Sequence, residues 1–311
     1  MSTLALKGPY WVTARQYRRA LWLTAGLVAL TLTVIGGLRI WDAQNRASGD
    51  FPYEHRLGYD MLRGAMEQLS YGMIALPLLV GAFVAGPLIA RELESGTYKL
   101  SLTQSISPAA WLRSKLLTAT AAALGATLAL IAVYRLGWTR VSDSWGFHWA
   151  ERGPYEATGT VVVAYVLLAI GIGALVGQLV RRTLLAMAVT GGAVGLVLLI
   201  LGSVRWTFLP VETVTGPAHR STGALGAPAD ALVVDQGLVH ESGRRMSGYF
   251  CSPDPAPGTA CRPDEPFTGQ YTDYHPASHF WPTQLIETGI LLALAALALF
   301  AAFRVLRARH P

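Results

Sequence analysis

The sequence predicts an all-α polytopic membrane protein of six transmembrane helices, with a loop-rich external domain between the fifth and the sixth. Three observations predict it. Of the 311 residues, 52% are hydrophobic and only 14% charged, against about 25% charged in ordinary soluble domains. The charges vanish from several stretches of roughly 20 residues, the length an α-helix needs to cross a bilayer core, and gather between them. The connection ahead of the last such stretch is long and rich in Pro, Gly, Ser and Asp.

The apolar stretches are Leu21–Leu38, Leu69–Ala90, Ser114–Tyr134, Gly159–Val180, Thr183–Ser203 and Thr283–Phe303. Each is expected to be helical, because an open strand in lipid leaves its backbone N–H and C=O groups unpaired. The first reads as a retained span, since no small-residue cleavage site follows it. Arg181 and Arg182 alone separate the fourth and fifth, which predicts a tight hairpin. The chain divides into an interfacial helix at 1–20, five spans within 21–203 with a polar connecting segment at 91–113, an external domain at 204–282, and a last span with its tail at 283–311.

Sidedness follows from Lys and Arg in the short connections. The N-terminal segment, the second connection, the Arg181–Arg182 turn and the tail share one side and hold 13 of the 25 basic residues. The rest spread over much longer loops, which the rule exempts. Both termini are therefore expected in the cytoplasm of a bacterium, the chain lying in the plasma membrane. The 22 Arg against 3 Lys fit a high-GC genome. The net charge of +6 is read as topology signal and lipid contact, so nucleic acid is excluded as a partner. Cys251 and Cys261 fall in the external segment, an oxidising compartment, where a disulfide is expected. Turn-forming Pro253, Pro255, Pro257 and Gly258 lie between them.

Three segments carry mechanism. Residues 10–23 place Trp11, Ala14, Tyr17 and Leu21 against Arg15, Arg18 and Arg19 at helical spacing, the pattern of a helix lying in the headgroup layer. The second span holds Pro77 and Pro87 among Gly72, Gly81 and Gly86, which predicts a broken, closely packed helix. The connection from Arg91 to Lys115 carries Leu93, Tyr98, Leu100, Leu102 and Ile106 among its charges, more apolar side chains than a bare loop needs. They suit lipid or a partner's groove. Ser107 and Pro108 form a helix start, a side-chain cap followed by proline at the first helical position.

This stretch resembles the ABC-2 class of exporter permeases. Arg91, Glu92, Gly96, Thr97, Leu100, Leu102, Thr103, Trp111 and Lys115 match the class pattern in order. Gly81-Ala82-Phe83, Gly86-Pro87-Leu88-Ile89-Ala90, Gly173-Ala174-Leu175-Val176-Gly177, Arg181-Arg182-Thr183 and Ala186-Met187-Ala188-Val189-Thr190 resemble an actinobacterial branch. The resemblance implies that residues 92–106 form a coupling helix against a separate ATPase, through Glu92, Glu94, Gly96, Thr97, Tyr98, Leu100 and Leu102. Arg181 and Arg182 would add a smaller contact. It also implies an assembly of two permeases, a homodimer, with two ATPases. No Gly-x4-Gly-Lys-Ser/Thr occurs in the chain. No cofactor is therefore assigned to it, and ATP and Mg belong to the partner subunit.

Catalytic chemistry finds no foothold. The spans hold no His, and no Gly-x-Ser-x-Gly elbow occurs. Glu287 is the one acidic residue placed inside a span. It is a candidate for the substrate path, weighed against a carboxylate snorkelling to the outer surface. His275 and His279 stand four apart with Pro276 between them and read as solvated loop residues, so no metal site is assigned. The reading is a permease that moves a hydrophobic or amphiphilic cargo outward. The alternatives are a membrane enzyme, and a sensor or immunity protein with an external ligand- or metal-binding loop.

Overall fold

The computed structural model describes residues 15, 17–48, 52–98, 107–142, 147–217, 226–248 and 267–309. Leu100, Leu102, Cys251 and Cys261 lie outside the described residues. The helices are α1 (Arg18–Ser48), α2 (Pro52–Leu79), a π-helical turn (Val80–Ala85), α3 (Gly86–Ser95), α4 (Pro108–Val141), α5 (Arg152–Thr158), α6 (Val161–Val180), α7 (Thr183–Val204) and α8 (Phe280–Arg309). Among the described residues six helical stretches are long and apolar enough to cross a membrane. They coincide with the six expected from the sequence, α2, the π turn and α3 forming the second. The six-span reading holds.

Local signals explain the boundaries. The Ser107 side chain accepts a hydrogen bond from the Ala110 N–H at 3.2 Å, and Pro108 opens α4. Gly96 ends α3 with φ of 72°, the left-handed conformation glycine adopts at no steric cost. Arg181 takes the same conformation at φ 53° and lets α6 reverse into α7 within two residues. The π turn lies between Pro77 and Pro87, so the second span is broken as its prolines predict.

Helix α6 is the hub. Of its most apolar 18-residue window 72% is buried inside the protein, against 6% for α1. It packs on α8, α3, α7, α4 and the π turn. The approach is close because α6 presents glycine: a Cβ added at Gly173 would lie 2.5 Å from the Ala85 carbonyl carbon. Small residues at such crossings let backbones touch, which is how helices associate where lipid removes the hydrophobic drive.

The stretch after α7 departs from the expected all-α class. Strands β1 (Glu212–Gly216), β2 (Leu232–His240), β3 (Arg245–Ser247) and β4 (Phe267–His275) form one antiparallel sheet in the order β1-β4-β2-β3. The molecule is mostly helical with a small sheet, not all-α, and this region is not merely loop-rich. Val, Thr and Tyr dominate β1 and β4, residue types that suit a pleated, half-buried surface. The sheet is tied to the bundle at Asp230, whose carbonyl accepts from Trp149 Nε1 at 2.6 Å and from His148 Nε2 at 3.0 Å.

Gly173→Val is expected to destabilise the protein by about 2 kcal/mol, the scale of overpacking a tight contact. Gly72→Ala, where an added Cβ meets nothing within 4 Å, leaves stability unchanged. Thermal unfolding of the two purified variants in mild detergent checks the contrast.

Candidate functional site

Two polar clusters stand out, one at each end of the bundle. The first lies at the end shared by α3, the start of α4, the α6–α7 turn and the end of α8, which we term the basic face. Glu92 is the third residue inward from the C-terminal end of α3, where an i+4 face turns toward α4. Its carboxylate pairs with Lys115 and accepts from Trp111 Nε1 at 3.2 Å. All three residues are buried. Within this chain Glu92 braces α3 against α4. Lys115 and Trp111 complete that brace.

Glu94 is exposed and reaches the opposite neighbour. Its Oε2 accepts from the Thr183 backbone N–H at 2.9 Å and from the Thr183 hydroxyl. It thus caps the first turn of α7, where backbone donors lack helical partners and the helix dipole favours an anion. This bond joins two segments 89 residues apart in sequence. Through it the stretch holding Glu94, Gly96, Thr97 and Tyr98 and the turn holding Arg181 and Arg182 lie on one surface. A small depression there is lined by Leu93, Tyr98, Trp111, Gln178, Arg181 and Arg309. Arg309 also donates to the Gln178 carbonyl, which fixes the end of α8. Glu92 is paired with Lys115, and the exposed Arg181, Arg182 and Arg309 outnumber the exposed Glu94, which gives this face a positive field.

The second cluster lies toward the sheet. Arg205, 2% exposed, follows directly on α7. Its Nη2 donates to Glu287 Oε1 at 3.1 Å and to Glu156 Oε1 at 3.3 Å. Its guanidinium lies 4.1 Å from the Tyr155 ring centroid. Tyr165 donates to Glu287 Oε1 at 2.9 Å and Tyr155 to Oε2 at 3.3 Å. Arg152, half exposed, reaches Glu156 Oε1 at 3.3 Å. Glu287 is 0% exposed, so it does not snorkel. It lies inside, in ion pairing with Arg205 that joins α8 to α7 and α5. Next to it Gln284 Oε1 accepts the Thr160 and Val161 backbone N–H groups at 3.0 and 3.1 Å, capping α6 from α8. Arg205, Glu156, Tyr155, Tyr165 and Gln284 carry this site and were not singled out from the sequence. The signal was an arginine at the end of an apolar run.

At the junction of β4 and α8, His275 is 1% exposed, contrary to a solvated loop residue. Its Nε2 lies 3.0 Å from the Trp206 carbonyl, which only accepts, so Nε2 carries the proton. His275 Nδ1 then accepts from His279 Nδ1–H at 3.0 Å. Burial pushes the His275 imidazole below its usual pKa, and His279 adds to the shift. Among the described residues no group of three or more His, Cys, Asp or Glu could hold a metal.

Two outcomes follow from this geometry. Glu287→Leu leaves Arg205 with half its counter-charge in the interior and is expected to cost about 3 kcal/mol. Replacing the set together (E156M, R205M, E287M) restores most of the loss, because an apolar group needs no counter-ion. Thermal unfolding of single and triple variants measures both. For His275, a pKa lowered in the folded state means that the unfolded chain binds more protons below about pH 6.5. Stability is then lost as pH falls from about 6.5 toward the folded pKa. His275→Asn is expected to flatten that acid branch of the stability–pH profile.

The model of the ABC-2 membrane transporter related family matches residues 20–205, more than half of the chain. The matched part takes in the α3, α4 and α6–α7 portions of the basic face, but not the end of α8, and ends at Arg205. No curated protein and no solved structure matches the chain. Six apolar helices long enough to span, joined at a glycine-lined hub, together with this match, make the chain a member of the ABC-2 membrane transporter related family.

Proposed function

We propose that the chain is the membrane-spanning subunit of an ATP-driven exporter, coupled through its basic face to a separate ATPase subunit. The carrying observation is the Glu94–Thr183 bond. It holds the end of α3 against the start of α7, so that a push from a partner docked there would reach α3, α6 and α7 together. The membership of the family supports a partner ATPase, which would supply ATP and Mg. A homodimer of two such chains with two ATPases is the assembly proposed. The basic face would lie in the cytoplasm with both termini, and the sheet outside the plasma membrane.

The residues divide by role. Glu92, with Lys115 and Trp111, stiffens the lever between α3 and α4. Thr97, Tyr98, Arg181 and Arg182 would contact the ATPase, with Leu100 and Leu102 as apolar plugs. An acidic rim on the ATPase would meet the arginines. The π turn between Pro77 and Pro87 is the natural place for the second span to flex. A hydrophobic or amphiphilic cargo suits spans with few polar walls. Glu287, locked to Arg205 inside the bundle, would open to the path only if that pair separates.

Co-purification of the tagged chain with the ATPase encoded beside it tests the reading. A stable complex with stimulated ATP hydrolysis is expected, lost when Leu100 and Leu102 are both changed to Asp and weakened by Arg181→Glu. Persistent failure of any ATPase to associate in lipid nanodiscs would overturn the exporter reading. It would leave a sensor or immunity protein with an external ligand-binding region as the alternative.

A further inference from the structure

A groove of about 410 Å³ runs between α1, α2 with its π turn, and α4, and none of the Arg205 cluster lines it. Its volume is that of a small-ligand site, roughly 300–1,000 Å³. The walls are almost wholly apolar and include Leu27, Leu76, Val84, Ala122 and Leu130. One end differs: it is closed by Tyr17, Arg91 and Lys115. These groups are neighbours, since the Lys115 ammonium stands 5.9 Å from the Tyr17 ring centroid. Lys115 is matched by Glu92. Arg91 is exposed and has no carboxylate partner among the described residues. The end therefore keeps one positive charge unanswered.

Its length is also informative. Helical rise places Val28 about 16 Å from Tyr17, and Leu130 about 22 Å from Lys115. Half of a bilayer's hydrocarbon core is roughly 15 Å. The groove thus extends from headgroup level to about mid-membrane, the reach of one lipid chain in one leaflet.

We propose that this groove binds a single-chain acidic amphiphile, its carboxylate or comparable anion on Arg91 and Tyr17 and its alkyl chain between α1, the π turn and α4. The occupant touches the π turn directly through Val80, Phe83 and Val84, so it is placed to favour one geometry of the broken second span. The site stands whether or not an ATPase drives the chain.

The test uses the full chain in nanodiscs of zwitterionic lipid, with a diazirine-bearing palmitate as probe. Matched arms carry a diazirine hexadecanol and a diazirine hexadecyl-trimethylammonium. Palmitate is expected to label peptides from α1, the π turn and α4 about tenfold more than either matched probe, the size of one charge-assisted hydrogen bond. Arg91→Glu removes that preference at an exposed position that the fold does not need, whereas Arg91→Lys retains it. Ala122→Trp, which fills the groove, abolishes labelling there. Equal labelling by the uncharged probe overturns the proposal, as does labelling that survives both Arg91→Glu and Ala122→Trp. Labelling confined to other helices overturns it too.

Discussion

A guanidinium buried at the end of an apolar helix dictates much of this structure. Arg205 is 2% exposed, and an unpaired cation there would cost several kcal/mol. Two carboxylates from distant parts of the chain answer it, Glu156 on α5 and Glu287 on α8. Two tyrosine hydroxyls also donate to Glu287. Satisfying one charge therefore fixes how α8 lies against α6 and α7. The family match ends at Arg205, so this arginine is also where the shared part of the fold grips the part that follows.

Around that fixed end the bundle is built to hold some contacts and bend others. The glycines of α6 let it meet α8 and the π turn backbone to backbone. The interior near the basic face is braced by Glu92 with Lys115 and by Glu94 with Thr183. Between the two clusters, the second span is interrupted at Val80–Ala85. A rigid end at the Arg205 cluster, a braced end at the basic face and a wide turn between them are the parts a two-state membrane subunit needs. Small shifts at the lever would have a discrete place to be absorbed.

Local chemistry was legible in the sequence; long-range pairing was not. The Ser107–Pro108 start, the two-residue turn at Arg181–Arg182 and the break between Pro77 and Pro87 each depend on residues within a few positions. Charge placement marked the basic face. The partners of Glu92 and Glu94 lie 23 and 89 residues away, beyond the reach of any periodic pattern. Glu287 stood out as an acid in a span, but its choice between surface and interior rested on Arg205, whose position in space the sequence does not display. The sheet was missed because its apolar content is modest and its strands are spread among Pro- and Gly-rich connections. The concentration of Thr268, Tyr271, Thr272 and Tyr274 in β4 was the available signal.

Every functional reading depends on which way the molecule faces. Labelling of single cysteines with a membrane-impermeant maleimide in intact cells, in a C251S/C261S background, tests this most directly. The account predicts that a cysteine at Glu241, in the exposed turn between β2 and β3, is labelled from outside. It predicts that one at Thr97 is labelled only after the membrane is permeabilised. Labelling of Thr97→Cys in intact cells with protection of Glu241→Cys would contradict the account, because the basic face would then point away from any cytoplasmic ATPase.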